Sequence, residues 1–263
     1  MKSRTVVHLA AAAGLLALAA CSESTSPSAS LVDQTTLTSD IASSSGDAIA
    51  ADAYTISTNE GFAGLSSPVV EGSPNAVNDS VSYSFTRTRS CFDGTGAPVT
   101  CGTSAVRTAV VHVLFSWFRD DTAANGAVFT GAINRAADDT LFRNYTGSTE
   151  TSRTHDGVST GSDTTSFIGP NVTRLYQESG SDSVEAVTFN LPRSTNPWPI
   201  SGKIVRNVSV HATFTSATRS STTDVTKRVE VNFPPDGQGN VVLKIDTKTC
   251  NLNLVTHHVS NCQ

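Results

Sequence analysis

The chain has 263 residues, only 16% of them charged and 6% aromatic, whereas soluble domains usually carry about a quarter charged residues. Serine and threonine together make up about a quarter of the chain. Net charge is −5; without the first 20 residues it is −7, from 16 basic against 23 acidic side chains. That balance excludes a nucleic-acid footprint, and the length allows one large domain or two small ones.

Lys2 and Arg4 precede an apolar run from Val6 to Ala20, too short for the roughly 20 residues that span a bilayer and of the kind found in a removable export signal. The run ends in Leu18-Ala19-Ala20-Cys21, an aliphatic residue and two small ones before a cysteine, which resembles the lipobox of bacterial lipoproteins. The resemblance implies that residues 1–20 are cut away, that the Cys21 thiol carries diacylglycerol, and that the new amine is acylated by a fatty acid such as palmitate. It implies a membrane partner through this lipid anchor and a place in the bacterial cell envelope. Ser22, rather than Asp, after the cysteine implies the outer membrane. Residues 21–36 hold the stretch Ser22 to Ser30, which lacks any large apolar residue and reads as a flexible tether. Two or more acyl chains, at roughly 0.8 kcal/mol per buried CH₂, make such an attachment stable.

Residues 37–53 place Leu37, Ile41, Ala48, Ile49 and Ala53 mostly at helical offsets, which predicts an amphipathic helix capped by Ser39 or Asp40 and weakened across Ser43, Ser44, Ser45 and Gly46. Residues 54–263 read as a single β domain. Beyond Ser80 the apolar period changes to two: Val81, Tyr83 and Phe85, then Ala109 to Trp117, Ala127 to Ile133, Val172 to Tyr176, Val187 to Leu191, Ile204 to Phe214, Val225 to Phe233 and Val241 to Ile245. Nine or ten strands follow from this pattern. Asp93-Gly94, Asn125-Gly126, Asp138-Asp139, Asp156-Gly157, Gly169-Pro170-Asn171, Ser179-Gly180, Pro197-Trp198-Pro199 and Pro234-Pro235-Asp236-Gly237 supply turn signals. The fold class is therefore all-β: an antiparallel meander curled into a barrel or sandwich, with one N-terminal helix covering an open face.

Four cysteines remain after Cys21, and export places them where disulfides persist. The short-range pairing joins Cys91 to Cys101 around a loop with its own turn residues, and Cys250 to Cys262 at the chain end. No close Cys or His pair sets a zinc spacing, so the reading includes no metal and no cofactor.

Gly157-Val158-Ser159-Thr160-Gly161 matches the G-x-S-x-G pattern of serine hydrolases, which needs a strained strand-to-helix turn. The stretch after it is polar and has no helical period, so no catalytic residue is assigned and the hydrolase reading stands last. Asp120 with Asp121, Asp138 with Asp139, and Asp236 with Gln238 and Asn240 lack the alternation of a calcium loop and read as solvated turns. The histidines show no helical pair and read as satisfied strand residues.

The arginines carry the leading site expectation. Arg87 shares the alternation face of Tyr83, Arg143 that of Tyr145, Arg174 that of Tyr176, and Arg206 that of Ile204 and Val208. If they converge, they form an aromatic-walled cationic cleft for an anionic amphiphile; otherwise they pair with carboxylates or reach the rim. The leading function is thus a non-enzymatic, lipid-anchored envelope protein that binds an apolar or anionic amphiphilic ligand or an envelope partner. The alternative is a passive structural or adhesive surface lipoprotein.

Overall fold

The structure, a computed structural model, describes residues 32–59, 80–122, 128–195, 198–256 and 258–263. The signal segment, Cys21, most of the tether and the Asn125-Gly126 turn lie outside the described residues.

Asp33 directly precedes the helix. Its carboxylate accepts hydrogen bonds from the backbone N–H groups of Thr35 and Thr36, at 3.2 and 3.0 Å, and so caps helix α1 (Gln34–Asn59). Ser39 and Asp40, the expected caps, lie inside the helix, and Asp40 is buried. The helix also runs unbroken through Ser43 to Gly46. Tertiary packing overrides local propensity there: a Cβ on Gly46 would sit 2.8 Å from Val259 Cγ2 and 3.1 Å from Leu252 Cδ1, so the glycine permits close approach.

Eleven strands follow: β1 (Ser80–Phe92), β2 (Pro98–Val99), β3 (Thr108–Thr122), β4 (Val128–Thr146), β5 (Thr149–Ile168), β6 (Val172–Asn190), β7 (Pro199–Ser216), β8 (Ser220–Asn232), β9 (Asn240–Ile245), β10 (Lys248–Asn253) and β11 (Val259–Ser260). All belong to one antiparallel sheet ordered β11-β10-β9-β8-β7-β6-β5-β4-β3-β1-β2. This is the all-β meander expected from the period-two pattern, but the sheet is open rather than closed into a barrel.

Three expected turns are strand interiors. Asp138-Asp139 lies within β4, Asp156-Gly157 within β5 and Ser179-Gly180 within β6. Cross-strand pairing accounts for the aspartates: Asp138 faces outward and meets His112 at 2.8 Å, while Asp139 faces inward and meets His155 at 2.9 Å. The turn signals at Asp93 and Asp236 do form turns. Asp93 accepts from the Thr95 and Ala97 amides, and Asp236 from those of Gln238 and Asn240.

The sheet curls around α1. Near the middle of the helix, Gly46 packs at Leu252 of β10 and Val259 of β11, while Ser44 reaches Glu178 of β6 and Asp52 reaches Ser159 of β5. In a flat sheet β5 and β10 would lie roughly 24 Å apart, at about 4.8 Å per strand. A helix is only about 10–12 Å across, and this one runs along β6 rather than across the strands, from Asp40 at Arg174 and Tyr176 to Ser44 at Glu178. Leu37, Ile41, Ala42, Ile49 and Ile56 of the helix join Tyr176, Val208, Phe214, Val231, Leu243 and Leu252 of the sheet in the main core. A smaller core of Val106, Ala109, Val111, Val113, Phe115 and Leu141 lies beside Cys91.

Both expected disulfides are present. Cys91–Cys101 and Cys250–Cys262 span Cα separations of 5.3 and 4.1 Å.

Candidate functional site

Helical spacing sets Asp40, Ser44, Asp47 and Asp52 on the buried part of α1 with Leu37, Ile41 and Ala48. Strand alternation does the same opposite them, turning Arg135 and Asp139 of β4, His155, Ser159 and Asp163 of β5, Glu178 and Asp182 of β6 and Arg206 of β7 toward the helix side. The result is a charge network inside the curl of the sheet.

Arg206 is its centre and is fully buried. Its Nη2 donates to Asp163 and lies 3.4 Å from Glu178 Oε2, while Nη1 lies 3.1 Å from Asp182 Oδ2. Arg135 donates to Asp163 Oδ2 at 2.9 Å and lies 3.6 Å from Asp182. Helix and sheet meet at two hydroxyls: Ser44 donates to Glu178 Oε1 at 2.6 Å, and the Ser159 Oγ lies 3.1 Å from Asp52 Oδ1 and 3.4 Å from Asp182 Oδ2.

Two guanidiniums here face four carboxyls, and the titration behaviour follows from that imbalance. Burial pushes the Asp52 carboxyl well up, and the like charge of Asp182 adds to it. Asp52 and Asp182 approach the same Ser159 hydroxyl, whose single proton can serve only one of them at a time. Burial likewise pushes Glu178 up to about 7, with Arg206 and Ser44 only partly offsetting it. For Arg206 burial favours the neutral form, but Asp182, Asp163 and Glu178 outweigh it and raise its pKa.

The G-x-S-x-G match acquires a different meaning in this setting. Its three named positions alternate along β5, so Gly157, Ser159 and Gly161 all lie on the inner face. A Cβ on Gly161 would fall 2.5 Å from Arg135 Nη1 and overlap the Asn134 carbonyl; one on Gly180 would lie 3.4 Å from the Arg206 guanidinium. The glycines make room for arginines, and Ser159 sits in a strand interior rather than on a strand-to-helix turn.

The expected ligand-binding residues are distributed over several places. Arg206 belongs to the central network. Arg174 and Tyr176 converge on Asp40, with Arg174 Nε at 2.6 Å and the Tyr176 hydroxyl at 2.5 Å from Oδ2; burial still raises the Asp40 carboxyl against these two partners. Arg143 pairs with Glu150 at 2.5 Å, and Arg153 donates to the same carboxylate at 2.7 Å. Burial would raise Glu150, but these hydrogen bonds hold it below its ordinary range. Tyr145 lies nearby, under Arg107 at 4.2 Å and Arg143 at 5.4 Å from its ring centre. Arg87 is exposed on β1, and the Tyr83 side chain lies outside the described residues. Hence Arg143, Arg174 and Arg206 find their acceptors in the protein's own carboxylates, and the expected single cationic cleft is not what brings them inward.

The acids were the missed half of this arrangement. Asp163, Glu178 and Asp182 share the alternation face of buried neighbours, and Asp40, Ser44 and Asp52 share a helical face with Leu37 and Ile41. The parity that flagged the arginines applies equally to them. Among the described residues no group of three or more His, Cys, Asp or Glu side chains is placed to hold a metal ion.

The outer face is different in kind. Hydroxyls pair across strands, Ser84 with Ser116 at 2.7 Å, Thr130 with Ser166 at 2.5 Å and Thr154 with Thr188 at 2.9 Å. His211 meets Asp224 at 2.7 Å within a shallow groove of about 420 Å³ lined by Gln177, Ser179, Ser209 and Thr226.

No family model matches the chain, and no curated protein and no solved structure matches it.

Proposed function

We propose that this chain is a lipid-anchored, non-enzymatic protein of the bacterial cell envelope, held at the outer membrane through Cys21, that acts as a structural or adhesive surface module through the outer face of its sheet. One observation carries the choice over a carrier of small amphiphiles. The curled inner face, where a carrier holds its cargo, is packed against the chain's own helix α1, and the inward Arg174 and Arg206 are paired with Asp40, Asp163 and Asp182. An anionic head group would have to displace a protein carboxylate to reach either guanidinium. The outer face, by contrast, offers hydroxyl pairs and polar side chains suited to contact with an envelope partner.

The test uses the full chain expressed with its signal in a lipoprotein-processing bacterium. Wild type is expected to partition with membranes and Cys21→Ser to be released from them. Organic extracts of the purified Cys21→Ser protein are expected to lack any stoichiometric lipid. A Cys21→Ser protein that partitions like wild type removes the anchor from the proposal. A stoichiometric amphiphile in the extract restores the carrier.

A further inference from the structure

We propose that β1 is a pairing edge to which a second copy of this chain adds its own β1, antiparallel, so that the two sheets run on into one. The end strands of the sheet, β2 and β11, are only two residues each, so longer strands behind them keep an open side. On β1, β3 takes one side from Ser80 to Phe92, whereas β2 takes only Cys91 and Phe92 on the other. The backbone of Ser80–Ser90 therefore has no strand on that side among the described residues. Such a row of backbone groups is a template for another strand, and proteins usually blunt it with Pro, Lys, a bulge or a covering element. These eleven residues contain no Pro, Gly, Lys, Asp or Glu, and the pairing with β3 runs through them without a register shift.

The sequence of this edge fits a copy of itself. Alternation from the buried Cys91 puts the odd positions on the inner side, and Ser84, Thr86, Thr88 and Ser90 are exposed on the outer side. The antiparallel register that uses the whole open stretch is centred on Phe85. It sets Phe85 opposite Phe85 of the second copy, Tyr83 opposite Arg87 and Val81 opposite Arg89, while Ser84 stands opposite Thr86 and Ser82 opposite Thr88. Aromatic pairs, arginine against an aromatic ring and hydroxyl pairs all favour strand pairing, and no like charges stand opposite each other. Arg87 and Arg89 are inward charges of the kind that guards an edge, yet this register puts neither against its own copy. The relation is identical read from either chain, which is the symmetry of a two-fold dimer. The hydroxyl pairing that already joins Ser84 to Ser116 would then continue across the joint.

β8 also keeps an open side, since β9 takes only Val229, Glu230 and Val231. That edge is guarded. Lys227 reaches across it to Asp246 at 2.6 Å, and self-pairing about the middle of Ser220–Thr226 would set Asp224 opposite or diagonal to its own copy, where like charges repel. On β1, β2 occupies the side from Cys91 onward and confines the ladder to the eleven residues before it. In strand addition of this kind main-chain hydrogen bonds supply the affinity and alternate side chains the specificity. The pairing depends neither on the lipid anchor nor on what the outer face contacts.

Cross-linking of the full chain tests this. Ser84→Cys and Thr86→Cys chains, each changed at an exposed position, are co-expressed and oxidised in place. In the proposed register Ser84→Cys of one copy stands opposite Thr86→Cys of the other, within disulfide reach. Two like variants meet only on the diagonal, about 7–8 Å apart and too far to bridge. A linked dimer is expected from the mixture and from neither variant alone, with peptide mapping joining positions 84 and 86. In sedimentation of the purified full chain, the wild type is expected as two copies. The double change Ser84→Lys with Thr86→Lys, which opposes like charges twice, is expected as one. No linked dimer from the mixture, equal linking by a single variant, or a wild type that sediments as one copy overturns the pairing. So does a two-copy particle that the lysines leave intact. A bond from position 84 to another protein would give the edge to a different occupant and likewise overturn it.

Discussion

Arg206 is the side chain on which the interior depends most. It is fully buried with Asp163, Asp182 and Glu178 around it, and removing one member of a buried charge network leaves the others without compensation. Arg206→Met should therefore lower unfolding stability by about 3–5 kcal/mol in urea titrations at neutral pH; a loss below about 1 kcal/mol would mean that the acids are neutral without it. Gly161 is the complementary case, since a methyl group there meets Arg135 and the Asn134 carbonyl. Gly161→Ala should cost about 1–3 kcal/mol by overpacking, whereas Gly237→Ala, at a site with open space, should stay within about 0.5 kcal/mol. Equal effects of the two glycine changes would show that the close approach on β5 does not matter.

At the level of elements, the C-terminal disulfide does more than hold the chain end. Cys250 and Cys262 tie β10 to the last residues, and Leu252 and Val259 from the same region form the seat of Gly46. Loss of this bridge should cost about 2–3 kcal/mol and should also reduce proteolytic protection of α1. Loss of Cys91–Cys101, beside the smaller core, should leave α1 unchanged. Susceptibility of α1 that follows either bridge equally would contradict this division. Both bridges and most of the strands were legible in the sequence because each rests on a local signal, a short bracket or an alternation of two, whereas β5 and β10 show no such apolar alternation and β6 reads as two strands parted at Ser179-Gly180. Three other things were not. The helix shows its apolar residues Leu37, Ile41, Ala48 and Ile49 in the sequence but hides the polar part of its buried face, Asp40, Ser44, Asp47 and Asp52, which dilutes the apolar periodicity. Gly157 and Gly180 mimic turns because the sequence does not show what a side chain there would meet, the Asp138 carbonyl and Asp139 at Gly157, the Asn207 carbonyl and the Arg206 guanidinium at Gly180. The paired acids of the interior were hidden by the rule that charged residues face water, which buried pairing overrides.

For the molecule as a whole, the pH dependence of stability follows from the sign of each shifted group. Glu178 loses its proton near 4.5 in the unfolded chain but near 7 in the fold, so between those values the folded state binds more protons. Its contribution to stability is present in full below about pH 4.5 and is lost as pH rises through about 7, a change of about 3 kcal/mol. Asp40 and Asp52 are shifted in the same direction by burial. Glu150, held down by Arg143 and Arg153 against its burial, acts in the opposite sense and withdraws its contribution as pH falls through the acid range. The two trends place the stability maximum on the mildly acidic side of neutrality. Urea unfolding at about pH 5.5 should accordingly give a larger free energy than at about pH 8, and Glu178→Gln, which keeps a side-chain oxygen for Ser44 but cannot ionise, should flatten the difference. A wild-type stability that rises from pH 5.5 to pH 8, or a Glu178→Gln profile parallel to it, would place the proton elsewhere and leave Glu178 ionised throughout.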